Sequence, residues 1–113
     1  MLIKFKTKQL EKCAEDYILA QKKLGAKRAE IFFKRLTAIY AAKTLEDLRN
    51  APGHYHQLTE DRKKQWACDL DQPYRLIMTP DMNTIPTDKN GAYIWNKIDG
   101  VVLLEITNYH KGK

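Results

Sequence analysis

The chain has 113 residues and a mass of 13.2 kDa, and its 20 Lys and Arg against 14 Asp and Glu give a net charge of +6. This length predicts one domain, residues 1–113, with a single modest core, and the basic balance favours an acidic or polyanionic partner. No apolar run approaches the roughly 18 residues of a membrane span, so we expect a soluble, cytoplasmic protein that does not bind membranes.

The N-terminal half predicts a strand followed by two amphipathic helices. Ile3 and Phe5 alternate with lysines, which is typical of a short strand. The first helix is predicted to begin after Thr7, a suitable N-cap, and to end near Gly25. Its predicted apolar face contains Leu10, Cys13, Ala14, Tyr17, Ile18 and Leu24. The second helix has the apolar stripe Ala29, Phe32, Phe33, Leu36, Ile39 and Tyr40.

The cations of these helices, Lys27, Arg28, Lys34, Arg35 and Lys43, lie off the apolar stripe. We interpret them as a solvated face, with contact to nucleic acid as the alternative. The two cysteines, Cys13 and Cys68, fall at apolar-face positions, and free thiols are the simpler interpretation, with a disulfide left open.

The C-terminal half predicts a helical turn and a series of strands. Thr44 and Asp47 have capping-box spacing, and Pro52-Gly53 ends that turn. His54, His56 and Leu58 are then predicted to share one face of a short strand, with Tyr55 and Gln57 on the other. Three further strands are expected, at residues 66–70, 74–79 and 101–106, the last of them as a central strand. In the first of these, the alternation predicts that Trp66, Cys68 and Leu70 are buried and that Ala67, Asp69 and Asp71 point outward.

Residues 80–100 contain several turn signals, yet Tyr93, Ile94, Trp95 and Ile98 are apolar, so this segment is expected to fold back over the core as a lid or brief hairpin. The predicted fold class is α+β, with two N-terminal helices packed on a small, mostly antiparallel sheet.

Proton-handling and anion-binding side chains concentrate in two segments, residues 52–79 and 107–110. All three histidines, His54, His56 and His110, lie there, and we expect strand pairing to bring the two segments together. No group of His, Cys and Asp has the spacing of a zinc site.

The order of short motifs in these segments, namely PG, HxL, a basic loop, W, YRLIM and a terminal EIxNYH, resembles the RelE/ParE superfamily of toxins, and within it the HigB-type killer proteins. The resemblance implies a RelE-like fold and an endoribonuclease that cleaves mRNA on the ribosome without metal or cofactor. It also implies neutralisation by a helix-turn-helix antitoxin protein.

Residue by residue, the resemblance implies that His56 and His110 are the acid and base, that Tyr109 orients or stacks on a base, and that Arg75 holds the scissile phosphate. Many relatives have a lysine after HxL, where this chain has Thr59, so Arg62, Lys63 or Lys64 would have to reach the phosphate. Asn108 stands where the family has an aspartate and can hydrogen-bond to RNA but cannot accept a proton as a carboxylate does.

Each of these assignments has a structural alternative. His56 could be a half-buried packing residue, and His54 is better interpreted as a surface residue than as a catalyst. Arg75 could pair with Asp69 or Asp71 across a hairpin. The alternative function is a non-catalytic toxin that acts on a protein target such as DNA gyrase, as another branch of the superfamily does.

Overall fold

The computed structural model describes residues 1–108, and this part of the chain is α+β, with three helices and a five-stranded mixed sheet. The predicted α+β class is therefore confirmed. The helices are α1 (Lys8–Glu15), α2 (Tyr17–Leu24) and α3 (Ala26–Ala41). The strands are β1 (Leu2–Phe5), β2 (His56–Gln57), β3 (Trp66–Asp69), β4 (Tyr74–Pro80) and β5 (Gly100–Asn108). Within residues 1–108, every helix falls short of the length and apolar character that a membrane crossing requires.

The predicted first helix is in fact two helices, because the chain leaves helical geometry at Asp16. This residue has φ −139° and ψ 103°, and its side-chain oxygen accepts a hydrogen bond from the Leu19 amide at 3.1 Å. Asp16 therefore ends α1 and caps α2. The break leaves Tyr17 and Ile18 40% and 60% exposed. The prediction of one continuous apolar face through these two residues is wrong.

The other predicted boundaries of the helical region are confirmed. The Thr7 hydroxyl accepts a hydrogen bond from the Leu10 amide at 3.2 Å, as an N-cap does. Gly25 ends α2 with φ 92°, a left-handed conformation that glycine adopts without strain. Thr44 and Asp47 form the predicted capping box and begin a 3-10 turn.

The strands lie in the order β1-β5-β4-β3-β2, with β1 parallel to β5 and every other pair antiparallel. The last strand thus has a neighbour on both sides, as predicted for residues 101–106. The register between β4 and β5 shifts at Ile77 and Met78, which face Glu105 and Leu103. Leu104 is the extra residue of the resulting β-bulge.

One face of the sheet packs against the helices and forms the main core. Phe32, Leu36 and Ile39 of α3 are buried there. The sheet contributes Trp66, Cys68, Leu76, Met78, Val101 and Leu103 to the same cluster. These are alternating strand residues on each side of the bulge, which is why they share one face.

The segment between β4 and β5 folds back onto this core, as predicted. Trp95 is buried and packs edge-to-face on Trp66 with a centroid distance of 5.7 Å. Ile98 is fully buried, and Thr87 forms an isolated antiparallel bridge with Tyr93.

An ion pair ties the start of α3 to the turn between β3 and β4. Arg28 Nε and Nη2 donate to the two carboxylate oxygens of Asp71 at 2.8 and 3.1 Å. The same guanidinium lies 3.5 Å from the centroid of the Tyr74 ring. The hydrogen bond from Arg28 holds the pKa of the Asp71 carboxyl below its ordinary value.

The opposite face of the sheet carries a second, smaller apolar cluster, made of Leu58, Ala67 and Ile77 with Leu104 packed against them. No helical residue of the described chain belongs to it. Ala67 is fully buried there, so the prediction that it points outward into solvent is wrong. Both faces of β3 are therefore covered at its centre.

Candidate functional site

The two predicted catalytic residues of the described chain, His56 and Arg75, lie on the same face of the sheet. His56 pairs with Ala67, Ala67 pairs with Ile77, and Arg75 pairs with Asp69. Because directly paired strand residues share a face, these five side chains project from the face opposite the helices, which we call the open face. His56 on β2 and Arg75 on β4 are separated by two strand spacings across the sheet and by two residues along the strand direction. Their Cα atoms are therefore roughly 12 Å apart.

The chain enters β2 through a tight corner. Gly53 has φ 116° and His54 has φ 53°, so two successive residues adopt left-handed conformations. The predicted strand that includes His54 is therefore wrong, and β2 begins at His56. The corner brings the two histidines together. Their rings stack at a centroid distance of 4.2 Å and an angle of 17°, and His56 Nδ1 lies 2.7 Å from the His54 carbonyl oxygen.

Asp69 lies between two cationic or titratable side chains, Arg75 and His54. Its Oδ1 lies 3.2 Å from Arg75 Nε, and its Oδ2 lies 3.6 Å from His54 Nδ1. The side chains of Arg75 and Asp69 are 15% and 22% exposed, so this ion pair is largely shielded from water. Of the two acidic partners considered for Arg75 across the hairpin, the structure has Asp69.

The backbone of Asp69 is held by two further contacts. Its amide donates to the Gly53 carbonyl and its carbonyl accepts from Arg35 Nε, each at 2.7 Å. Arg35 passes so close to Gly53 that a Cβ atom there would lie 2.7 Å from Arg35 Nε. The glycine is therefore needed for this close approach, besides its positive φ.

Sequence reasoning missed Arg35 as part of this site, interpreted His54 only as a surface residue and considered Asp69 only as a hairpin partner of Arg75. Arg35 was assigned to a solvated helix face, yet it reaches across to the loop before β2. The Pro52-Gly53 dipeptide was a usable signal, because a glycine before a histidine allows a left-handed corner. No pattern in the sequence indicates which helical arginine reaches this corner.

The predicted phosphate-binding cations lie after β2, in a 3-10 turn at Glu60–Arg62 and the residues beyond it. Arg62 Nη1 donates to Glu105 Oε2 at 3.0 Å, which partly balances its charge. Lys63 and Lys64 are exposed. Lys64 has φ 68°, and its carbonyl accepts a hydrogen bond from the Thr79 hydroxyl at 2.7 Å.

The end of β5 lies beside Arg75, because Thr107 pairs with Arg75 and Asn108 pairs with Tyr74. The other two residues assigned to catalysis, Tyr109 and His110, lie outside the described residues. The prediction that His110 approaches His56 therefore stays a prediction.

The two buried thiols and the buried phenol of Tyr55 are poorly suited to proton transfer. Both cysteines are free and buried, and burial raises the pKa of Cys68 to about 12. Burial likewise raises the pKa of the Cys13 thiol and of the Tyr55 hydroxyl, which lies 3.4 Å from the Arg35 carbonyl oxygen. These groups stay protonated at neutral pH and act as packing residues.

The open face thus offers an imidazole that can move a proton and a guanidinium that can hold an anion. Residues 1–108 contain no cluster of three or more His, Cys, Asp or Glu side chains that could hold a metal ion.

No protein-family model matches the chain, and a search of curated proteins found no match. The resemblance to the RelE/ParE superfamily therefore rests on the motifs quoted above.

Proposed function

We propose that this chain is a toxin of the RelE/ParE superfamily, similar to the HigB-type proteins, with a RelE-like fold. In this proposal it acts in the cytoplasm as a metal-independent endoribonuclease that cleaves mRNA on the ribosome, and a helix-turn-helix antitoxin neutralises it. The observation that carries the proposal is that His56 and Arg75, which match the family's histidine and arginine, share the open face of the sheet.

The reaction uses the RNA's own 2′-hydroxyl. His56 accepts the proton of that hydroxyl while its oxygen forms a bond to the adjacent phosphorus. The bond between phosphorus and the 5′-oxygen breaks, and His110 gives a proton to the departing oxygen. The products are a 2′,3′-cyclic phosphate and a free 5′-hydroxyl. Arg75 neutralises the charge that builds on the phosphate, and Tyr109 stacks on a base.

The ion pair with Asp69 is compatible with this role for Arg75. A guanidinium has five N–H donors, and the contact with Asp69 is made through Nε. Guanidinium groups can bind two anions through different N–H donors. The carboxylate holds the guanidinium on the open face before the substrate arrives.

The proposed partners beyond the reacting nucleotide are the mRNA and rRNA backbones. Lys63 and Lys64 are exposed and follow the strand that carries His56, so they are well placed for phosphate contacts. Arg62 and Asn108 complete the proposed RNA-binding set, with Arg62 needing to exchange Glu105 for a phosphate.

Primer extension on mRNA in a translating extract tests the proposal. We expect cuts in phase with codons for the natural chain, none on the same mRNA without ribosomes, and none with His56→Ala. Lys89→Ala is the matched control, because Lys89 is an exposed cation in the loop before β5. DNA breakage by gyrase without any RNA cut would instead favour the non-catalytic toxin.

A further inference from the structure

We propose that His54 is a positioning residue: its carbonyl oxygen fixes the proton of neutral His56 on Nδ1 and leaves Nε2 as the atom that accepts the 2′-hydroxyl proton. The catalytic half of this inference rests on the proposed function. The half that concerns the proton on His56 does not, because it follows from the contacts of the corner before β2.

The acceptor at His56 Nδ1 decides the position of the proton. A carbonyl oxygen has no hydrogen to donate, so the contact at 2.7 Å is a hydrogen bond only if Nδ1 carries the proton. A neutral imidazole has one N–H group. Nε2 therefore keeps its lone pair, which is the requirement for a general base.

The left-handed corner explains why a carbonyl oxygen stands there. His54 has φ 53° and follows Gly53 at φ 116°. Positive φ is uncommon for residues other than glycine, although histidine, asparagine and aspartate adopt it more readily than most. This geometry turns the His54 carbonyl toward the side chain two residues later, which a continuous strand would not do.

Two further contacts hold the corner in place. The His54 ring stacks on the His56 ring and limits its rotation, and His54 Nδ1 lies 3.6 Å from Asp69 Oδ2. The Asp69 amide in turn donates to the Gly53 carbonyl. From β3, the charged group that faces the histidine pair is Asp69, whose Oδ1 lies 3.2 Å from Arg75 Nε of β4. The Asp69 carboxylate lies against His54 and leaves His56 Nδ1 to the carbonyl oxygen.

Long-range proton–nitrogen correlation spectra of isotope-labelled histidine test the proton position without any RNA. In spectra taken at a pH high enough that the imidazole signals no longer change with pH, we expect His56 to be the Nδ1–H form. Free histidine in water favours the Nε2–H form, so the expected result requires the contact with His54. An Nε2–H form of His56 in the natural chain would overturn the inference, whatever the enzymatic activity.

Two substitutions at His54 separate its backbone from its ring. Asparagine tolerates a left-handed conformation, so His54→Asn should keep the carbonyl in place, the Nδ1–H form of His56 and most of the cleavage. Valine is strained at positive φ, so His54→Val should shift His56 toward the Nε2–H form. Its single-turnover cleavage on ribosomes should fall about tenfold, less than the roughly 10²–10⁴-fold of removing the base altogether.

The outcomes distinguish the two proposals. If His54→Val changes the His56 spectrum but cleaves at the full rate, the positioning role is wrong. If both variants lose cleavage equally while each keeps the Nδ1–H form, His54 acts through its ring and not through its carbonyl, which also overturns the inference. If the natural chain shows the Nδ1–H form yet cuts no mRNA, the proposed function fails and the proton assignment stands. Thermal melting of both variants shows that they are folded.

Discussion

The two faces of the sheet are built from alternate residues of the same strands, yet they differ in chemistry. The helix-covered face presents apolar side chains such as Trp66, Leu76 and Met78 to the core, and no residue of polar or charged type is buried in residues 1–108. The open face mixes a small apolar cluster with His56, Asp69 and Arg75. Stability and the proposed chemistry are thus assigned to opposite sides of one sheet.

The physical reason is the cost of removing charge from water. An unpaired charge beneath the helices would be strongly destabilising, whereas the open face allows partial hydration and pairing. The shielded guanidinium of Arg75 accordingly lies against the Asp69 carboxylate. Substitutions at neighbouring positions on opposite faces should therefore separate loss of activity from loss of stability.

The largest effect on activity is expected at Arg75. Arg75→Ala should lower single-turnover mRNA cleavage by about 10²–10³-fold, because a preorganised cation at the phosphate is lost. Stability should fall by about 1–3 kcal/mol, because the variant leaves the shielded Asp69 carboxylate without its cation. Cleavage on purified ribosomes and urea denaturation measure the two effects. Cleavage at the full rate by the folded variant would remove Arg75 from the site.

The adjacent residue, Leu76, should show the reverse. It is fully buried on the helix-covered face, so Leu76→Ala should lower the free energy of unfolding by about 2–5 kcal/mol. Cleavage per folded molecule should not change. Urea denaturation and activity at a temperature where the variant is folded provide the check. A loss of cleavage in a fully folded Leu76→Ala variant would mean that the two faces are coupled.

A smaller effect is expected at Gly53, where Arg35 of α3 approaches the loop before β2. Gly53→Ala should destabilise the fold by about 1–3 kcal/mol, because alanine is strained at φ 116° and its Cβ would meet Arg35. In an Arg35→Ala background the penalty should shrink, since the steric part is gone. Equal penalties in both backgrounds would show that backbone strain alone is responsible.

The exposed lysines Lys63 and Lys64 should affect binding more than catalysis. Reversing the charge with Lys63→Glu and Lys64→Glu should weaken ribosome binding by about tenfold at moderate salt. The slope of log affinity against log salt should become shallower by roughly one to two, as two phosphate contacts are lost. Lys89→Glu is the matched control. A slope that these two changes leave intact would assign Lys63 and Lys64 to solubility.

The smallest effect is expected at the ion pair between Arg28 and Asp71, which joins α3 to the turn between β3 and β4. It is the comparison for the ion pair between Arg75 and Asp69. The pKa of the Asp71 carboxyl is lowered in the folded chain. The ion pair therefore stabilises the folded state at pH values above the pKa of an unfolded aspartate, about 3.9. Asp71→Asn should therefore lose about 1 kcal/mol or less at neutral pH. The difference should vanish as the pH falls through the lower folded-state value. Denaturation curves across acidic pH measure it, and cleavage should be unaffected.

The strands were predictable where alternation is clear. Trp66, Cys68 and the run from Tyr74 occupy the predicted strands because a half-buried strand needs a period of two. The helix break was not predictable from periodicity, because Tyr17 and Ile18 continue the apolar spacing while Asp16 leaves the helix for a cap. Local hydrogen bonding by one short carboxylate overrode the pattern.

The site was predictable only in part. Alternation along a hairpin is enough to put Arg75 opposite Asp69, once the turn between β3 and β4 is recognised. The corner at Gly53 and His54 depends on backbone angles that sequence spacing does not encode. The contact of Arg35 depends on how α3 lies over the sheet, which is a tertiary property.

The parallel pairing of β1 with β5 has a consequence for the order in which the chain can fold during synthesis. Leu2 pairs with Gly100 and Phe5 with Leu103, so β1 can form its strand pairing only after β5 has been synthesised. Until β5 has been synthesised, no strand lies between β1 and β4, and the five-stranded sheet is incomplete. Such distant pairing is slow to form. We therefore expect a nascent chain to pair β2, β3 and β4 as a local meander before its N-terminal strand is paired.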